Sequence, residues 1–510
     1  MGEIVAFQEE FRQALPNVTG NVDYKIFRQT LARITELIKL SKIDRKVMVE
    51  AVRVSQKEYN LSRQAEGKRP KPLTNKEELR IQQRARRALR CGIARHLTGD
   101  VYREFSCRLA DSALLQNFCL IDRLQEIKVP SKSKLQRDEV LFEEGFLRET
   151  ISDVIRQAAQ APKFPEDNQA LGLAEEVSLE QYFLDTTCLK ANIHFPVDWV
   201  LLRDATRTLM KAVRLIREEG LLNRMQDPQT FIRQMNRLSI QMTNTRRQKD
   251  GKRGRKKVLR LMKKLAGKVA RHAEVHRDLL SNRRGETRFT ENQAAQIIGR
   301  IDSVLEQLPQ ALCQAHERII GERQVPNRSK ILSLYEKDIH VIVRGKAEAE
   351  AEFGNTLLLA EQADGIIVDW ELYRNNTPSD SQLLKQSLER MGMHTGYRPG
   401  SVTTDRGFDS AANRRYLKKQ GIENNICPRS VPALQEKMQQ ATFCENQKRR
   451  GQTEGRIGIL KNQFLGNPLK SKGFASRQMS VAWAVLAHNL WVIARLPRAE
   501  EKEKRHPQAA

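Results

Sequence analysis

The stretch SVTTDRGFDS, residues 401–410, decides how the rest of the chain is read. Val402, Thr403 and Thr404 are β-branched and favour a pleated strand, and the run ends in Asp405 with Arg-Gly-Phe-Asp directly behind it. Asp-Arg-Gly is also turn chemistry, and an aspartate there can cap a following helix. Taken alone, the stretch leaves two readings open: a turn, or a carboxylate carried to the end of a strand. Its neighbours give the context. SDSQLLKQSLERMG (379–392) has Leu384 and Leu388 one turn apart and reads as a helix, SAANRRYLKKQG (410–421) as a helix closed by Gly421, and GIENNICP (421–428) as a strand. The succession is α/β. In parallel sheets of that kind ligands gather beyond the carboxyl ends of the strands, where Asp405 stands.

Two further acids break local rules. In LEQYFLDTTCLKANIHF (179–195), Tyr182, Leu184 and Thr186 alternate with Phe183, Asp185 and Thr187. The β-branched and aromatic content predicts a strand, yet aspartate is depleted in strands, and such exceptions cluster at functional sites. QKRRGQTEGRIGILKNQF (447–464) predicts a helix in which Glu454 stands among cations. At 100° per residue Arg450, Glu454 and Lys461 fall within roughly 40° of one another, with the two cations about 16 Å apart along the axis. Gly451, Gly455 and Gly458 each cost such a helix up to about 1 kcal/mol, which points to close backbone approach around Glu454. Three carboxylates from two strands and a helix can bind two divalent cations about 3.5–4 Å apart. Oxygen ligation favours Mg2+ or Mn2+ over zinc. One ion would activate a water or a 3′-hydroxyl while the other stabilises the leaving oxygen.

Charge points to the partner. The chain has 89 Lys+Arg against 62 Asp+Glu, a net +27, which favours a polyanion, and nucleic acid before an anionic membrane. Between Arg246 and Lys264, 11 of 19 residues are Lys or Arg and only Asp250 is acidic. That density predicts a phosphate-contacting segment, with Arg246, Arg247, Lys252, Arg253, Arg255, Lys256 and Lys257 as its DNA-binding residues. The seven scattered cysteines contain no C-x-x-C pair and read as reduced thiols in a cytoplasmic protein without structural zinc. His272 and His276, four apart on a predicted helix with no acidic or Cys partner, read as solvated or DNA-facing. MGEIVAFQEEF has acidic residues and no apolar core, so it is not expected to be a signal peptide. VAWAVLAHNLWVIA (481–494) is too short to span a bilayer and predicts a buried helix.

Along the chain, residues 1–160 read as mainly helical. KIFRQTLARITELIKL (25–40) and REFSCRLADSALLQNFCLIDRL (103–124) have helical apolar spacing, and Ser131 is placed to cap a helix in 131–155. Residues 161–178 read as a linker and 179–197 as the first part of the α/β domain. Residues 198–330 form a helical, basic insertion, 331–495 the remainder of the α/β domain, and 496–510 a disordered tail. HVIVRG (340–345), GNTLLLAE (354–361) and GIIVDWELY (365–373) predict strands. Asp369, in the last of these, is a rival for the first acid.

On FLDTT (183–187), TTDRGFDS (403–410) and R-x3-E-x6-K (Arg450, Glu454, Lys461), the sequence resembles the DDE transposases of bacterial insertion sequences. LEQYFLDTTCLKANIHFPVDWVLLRDA resembles the ISNCY-type group among them, and FSCRLADSALLQNF and VPSKSKLQR resemble their helical end-binding domain. The stretch from Asp405 to Glu454 has a length that such relatives commonly show. The stretch from Asp185 to Asp405 is long for a plain RNase H-like core, which the insertion at 198–330 explains. The resemblance implies an RNase H-like catalytic domain with Asp185, Asp405 and Glu454 as catalytic and metal-holding acids and two Mg2+ or Mn2+ ions. It also implies Arg450 and Lys461 on DNA near the scissile phosphate. The partners it implies are double-stranded DNA, as transposon ends and target, and a second copy in a dimer or larger synaptic complex. It places the protein in the bacterial cytoplasm, on the nucleoid. Some relatives carry a tyrosine three residues before the arginine, where this chain has Gln447. Two other functions stay open on the same residues: a catalytically silent, transposase-derived DNA-binding protein, and a structure-specific nuclease.

Overall fold

The computed structural model describes residues 14–122, 126–162, 169–245, 250–346 and 349–499. The chain forms two compact units, one from the chain up to Leu189 with Thr356–Tyr373 and Thr377 onward, the other from Lys190–Asn355 with Arg374–Asn376.

The first unit opens with helices α1 (Val22–Leu40), α2 (Ile43–Ala65), α3 (Asn75–Thr98), α4 (Tyr102–Asp111), α5 (Ala113–Phe118), α6 (Lys132–Glu139) and α7 (Glu144–Ala159). Their starts follow the side chains that can satisfy free backbone N–H groups. Asn21 accepts from Tyr24 N–H at 2.9 Å, Thr74 and Glu77 form a capping box, and Ser131 accepts from Lys134 N–H at 3.4 Å, as its position in the sequence predicts. The periodicity over 103–124 predicts one helix where there are two. Ser112 ends α4 and caps α5, its hydroxyl accepting from Leu115 N–H at 3.3 Å. The helix expected over 131–155 is likewise broken between α6 and α7.

These helices do not build a core of their own. Their apolar faces join those of the sheet and of α16 (Phe474–Ile493) in one buried cluster. Trp483 of α16 is wholly buried and donates its indole N–H to the Glu139 carbonyl at 3.2 Å. Its ring lies so close to Gly92 of α3 that a Cβ there would meet it at 2.7 Å. The VAWAVLAHNLWVIA run is thus a buried helix, as expected, and its polar interruption has a task. Asn489 donates to the Ile367 carbonyl at 2.8 Å and accepts from Ile367 N–H at 2.9 Å. Among the described residues no helix is long and apolar enough to cross a membrane.

The strands are β1 (Gln181–Lys190), β2 (His340–Lys346), β3 (Ala349–Glu361), β4 (Ile367–Leu372), β5 (Ser401–Thr404) and β6 (Glu423–Ile426). Their order is β2-β3-β1-β5-β6, with β4 paired antiparallel to β3. β1, β5 and β6 run parallel: Gln181 faces Ser401, Phe183 faces Thr403, and Thr404 faces Ile426. Around them lie α12 (Asp380–Thr395), α13 (Ala411–Gln420), α14 (Val431–Lys437) and α15 (Ala441–Ile459). Gly421 ends α13 at φ 69°, the left-handed cap its sequence position predicts.

The second unit holds α8 (Asp198–Glu218), α9 (Pro228–Asn244), α10 (Gly251–Arg283) and α11 (Glu291–Ile319), packed around their own apolar core. The expectation of solvated or DNA-facing histidines fails for His276. It is fully buried in this bundle, its Nδ1 2.7 Å from the His272 carbonyl, because its register on α10 follows the apolar stripe of Val269, Ala273 and Leu280. His272 lies edge-on to Phe231, with ring centroids 5.5 Å apart. The two ends of this unit meet: Ala191 N–H donates to the Phe353 carbonyl at 2.9 Å.

Candidate active site

The alternation of β1 sorts its side chains onto two partners. Tyr182 and Thr186 turn toward α12, where the Tyr182 hydroxyl lies 2.7 Å from Ser387 Oγ and Thr186 donates to Asp380 Oδ1 at 3.3 Å. Phe183, Asp185 and Thr187 turn toward α15 and its continuation. Arg449 stacks on the Phe183 ring at 4.7 Å, and Lys461 donates to Thr187 Oγ1 at 3.2 Å. Asp185 lies between these two contacts along the strand, and its carboxyl is acted on by Arg450, Asp405 and Glu454. Arg449 and Lys461 thus bring α15 and its continuation against the odd-numbered face of β1.

A buried carboxylate fixes α15. Glu361, at the end of β3, has no exposure and accepts from Thr453 Oγ1 at 2.7 Å and Arg449 Nη1 at 3.1 Å, with Arg456 Nη1 at 3.8 Å. Arg449 also donates to the carbonyls of Gln362 and Ala363, at 3.0 and 2.6 Å. One side of the helix is thereby bound to the end of β3, which leaves Glu454, next to Thr453, 60% exposed on another side. Beyond Ile459 the helix widens into a π turn, Leu460–Leu465, which carries Lys461. Such turns recur at functional sites.

Asp405 satisfies both of its sequence readings. Its Oδ1 accepts from Gly407 N–H at 2.8 Å and so caps the 3-10 turn Arg406–Phe408, while its position directly after β5 puts the carboxylate at the sheet end. Buried Phe408 anchors the turn, and Arg429 holds it from outside with bonds of 2.9 Å to the carbonyls of Arg406 and Gly407. A Cβ at Gly407 would meet Asp405 Oδ1 and Asp380 Oδ2, each at 2.9 Å, so a side chain there would displace both carboxylates. Asp380, the first residue of α12, is thus a fourth carboxylate beside the site. The sequence gives little signal for it, since Ser-Asp-Ser at a helix start reads as ordinary capping.

Gln447 also has a positioning task. Its carboxamide donates to the carbonyls of Thr404 and Asn425, at 3.2 and 2.7 Å, tying α15 to the ends of β5 and β6 immediately before Asp405. A phenol has one O–H donor and cannot serve both carbonyls as an amide NH2 does.

Electrostatics link the three predicted acids. Burial pushes the Asp185 carboxyl up to about 6; the Thr186 N–H bond opposes this, Asp405 adds to it, Arg450 opposes it and Glu454 adds to it. Arg450 holds Glu454 at 3.5 Å, and its own Nε is buried without a hydrogen-bond partner. Among the described residues no three His, Cys, Asp or Glu side chains close into a ligand set for one ion.

The other predicted residues divide as follows. Arg246 and Arg247 lie outside the described residues. Lys252 and Lys256 both pair with Glu322, at 3.5 and 2.8 Å, Arg255 folds back to the Gly251 carbonyl at 3.4 Å, and Arg253 and Lys257 are exposed. The rival acid Asp369 is 2% exposed and bound by Ser387 at 2.6 Å and by Arg390 at 2.8 and 3.0 Å, with Arg148 at 3.8 Å. Its oxygens serve an internal ion-pair network.

A protein-family model described as the transposase DDE domain matches residues 353–490. The matched segment takes in Asp405, Arg450, Glu454 and Lys461 and begins after Asp185. No curated protein and no solved structure matches the chain significantly.

Proposed function

From the premise that this chain carries a transposase DDE domain over residues 353–490, we propose that it binds the terminal inverted repeats of an insertion sequence and catalyses DNA strand cleavage and strand transfer. The observation that carries this reading is the match of residues 353–490 to the transposase DDE domain, which takes in Asp405, Arg450, Glu454 and Lys461, together with the Asp405 carboxylate at the end of β5, next to the strand that bears Asp185. Asp185, Asp405 and Glu454 are the proposed catalytic acids and the residues that would hold the divalent ions. Their all-oxygen donor set suits Mg2+ or Mn2+, and the orphaned Arg450 Nε leaves a donor for a phosphate oxygen. When bound, the ions supply an activated oxygen nucleophile and stabilise the leaving oxygen in an in-line displacement at phosphorus.

The chain's own residues do the positioning. Arg450 and Lys461, near opposite ends of the face that meets β1, bind the DNA backbone on either side of the reacting phosphate. Glu361 and Gln447 fix α15 so that Glu454 and Asp405 keep their separation. An RNase H-like arrangement is supported by the parallel β1-β5-β6 trio, with β3 on its other side and β4 antiparallel to β3. The helices up to residue 160 are proposed to bind the inverted repeats and the basic start of α10 the flanking DNA. A dimer or larger synaptic complex acting on the bacterial nucleoid completes the reading.

The test is an end-bearing duplex incubated with the purified chain and Mg2+. Wild type should cut and join, whereas Asp405→Asn should bind the ends and lose cleavage by about 10³-fold or more. Wild type that binds ends and never cuts them would overturn the reading in favour of a silent DNA-binding protein. Cutting without joining would indicate a nuclease.

A further inference from the structure

Apart from the acidic site, the helical unit contains a cleft of about 810 Å³ between the start of α10 and the chain following α11. Lys252, Arg255, Arg318, Arg323 and Lys330 line it, with Glu322 as the acid among them. Two of the cations pair with acids outside the cleft lining: Arg318 with Asp198 at 2.9 Å, and Arg323 with Glu317 at 2.5 Å. Lys330 holds the Asn327 carboxamide oxygen at 2.6 Å.

Glu322 is placed here by an unusual backbone. Beyond the end of α11 the chain folds back, with Arg323 N–H bonded to the Glu317 carbonyl at 2.9 Å, and Glu322 stands just before Arg323 at φ 54°. That left-handed position is ordinarily taken by glycine. Here the chain puts a glutamate in it and a glycine, Gly321, one residue earlier. Strain at a residue that could have been glycine points to a use for its side chain. The carboxylate spans two lysines one turn apart on α10, Oε1 to Lys256 Nζ at 2.8 Å and Oε2 to Lys252 Nζ at 3.5 Å. Two oxygens bridging two ammonium groups are the contact that the non-bridging oxygens of a phosphodiester would make. Both ends of the contact are partly exposed, Lys252 at 76% and Glu322 at 48%, so solvent screens the pair and a stronger anion can displace it.

We propose that this cleft is a binding site for the phosphate backbone of duplex DNA, held by Lys252, Lys256, Arg255 and Lys330, and that Glu322 occupies the phosphate position until DNA displaces it. The inference rests on the DNA-acting reading above and assigns a specific site and a built-in competitor to the basic start of α10. Sequence readout plays no part in it, since backbone contacts carry none.

The experiment measures binding of a random-sequence DNA duplex to the full chain by fluorescence anisotropy over a range of salt concentrations. Glu322→Gln should bind about threefold tighter or more, because it frees both lysines while keeping the size of the side chain. Glu286→Gln changes net charge equally at the exposed Arg283 pair and should leave affinity near wild type. Lys252→Ala combined with Lys256→Ala should weaken binding and flatten the salt dependence by about one unit of slope or more. Glu322→Gly, which removes carboxylate and strain together, should also tighten binding. Thermal melts of each variant check the fold. Binding that ignores both Glu322→Gln and the lysine pair, or that responds equally to Glu286→Gln, overturns this inference alone. Absence of duplex binding by wild type and all variants overturns the DNA-acting reading with it.

Discussion

Thr453 donates its hydroxyl proton to Glu361 across 2.7 Å, and the next residue along α15 is Glu454. The carboxylate proposed for chemistry thus sits beside the contact that fixes its helix. Removing one partner of a buried ionic network costs about 3–5 kcal/mol, because the others are left buried and unpaired. Glu361→Ala is accordingly expected to lower unfolding free energy by about 3–5 kcal/mol in denaturant titrations. Below its midpoint it should reduce DNA cleavage more than DNA binding. Glu361→Gln keeps an acceptor for Thr453 and should lose less of both. An unchanged denaturation midpoint in Glu361→Ala would show that the clamp does not hold α15.

The Asp185 carboxyl gives a pH signature. Its value in the fold is about 6, raised by burial and by its two acidic neighbours, against about 3.9 in an unfolded chain. Between these values the native state keeps a proton that the unfolded state has lost, so stability falls as pH rises from about 4 to 6 and is not regained above. With a chelator present, Asp185→Asn should melt at a higher temperature than wild type above about pH 6 and show a smaller decline across that window. Parallel melting curves at all pH values would remove the case for a perturbed Asp185.

Asp369 should behave as a structural residue. Both of its oxygens are bound within β4 and α12, by Ser387 at 2.6 Å and Arg390 at 2.8 Å among others. Asp369→Asn leaves Arg390 short of its counter-charge and is expected to cost about 3–5 kcal/mol of stability. At low temperature the folded fraction should keep its metal-dependent cleavage. Lost cleavage with an unchanged melting point would transfer the first-acid role from Asp185 to Asp369.

The strands around Asp185 and Asp405 were legible because period-two alternation and β-branched runs report directly on a pleated backbone. The same alternation separated the α12-facing residues of β1 from the α15-facing ones. The helix ends within 103–124 and 131–155 were not legible, because apolar periodicity continues through a break that is decided by a single cap such as Ser112. Asp380 was hidden for a related reason, since an aspartate that caps a helix and one that also lies beside a neighbouring carboxylate have the same local sequence. His276, read as solvated or DNA-facing for want of a metal partner, is placed in the core by its register on α10. Gln447 was visible only as a departure from a family pattern, and its two bonds to strand carbonyls depend on contacts distant in sequence. The burial of the apolar faces of α1 to α7 in one core with α16 likewise depends on pairings that no local window contains.

The hydrogen bond from Ala191 N–H to the Phe353 carbonyl, 2.9 Å long, has a consequence for the order of folding. Pairing Gln181 with Ser401 requires the whole helical unit to be looped out between adjacent strands. Each doubling of such a loop adds only about 0.6 kcal/mol to the final stability, but closing it slows the approach of the two strands. If the helical unit condenses first, its own packing brings residues 191 and 353 together and the remaining loop is short. The segment that separates the first acid from the second would then act, during folding, as the clasp that delivers them to the same sheet.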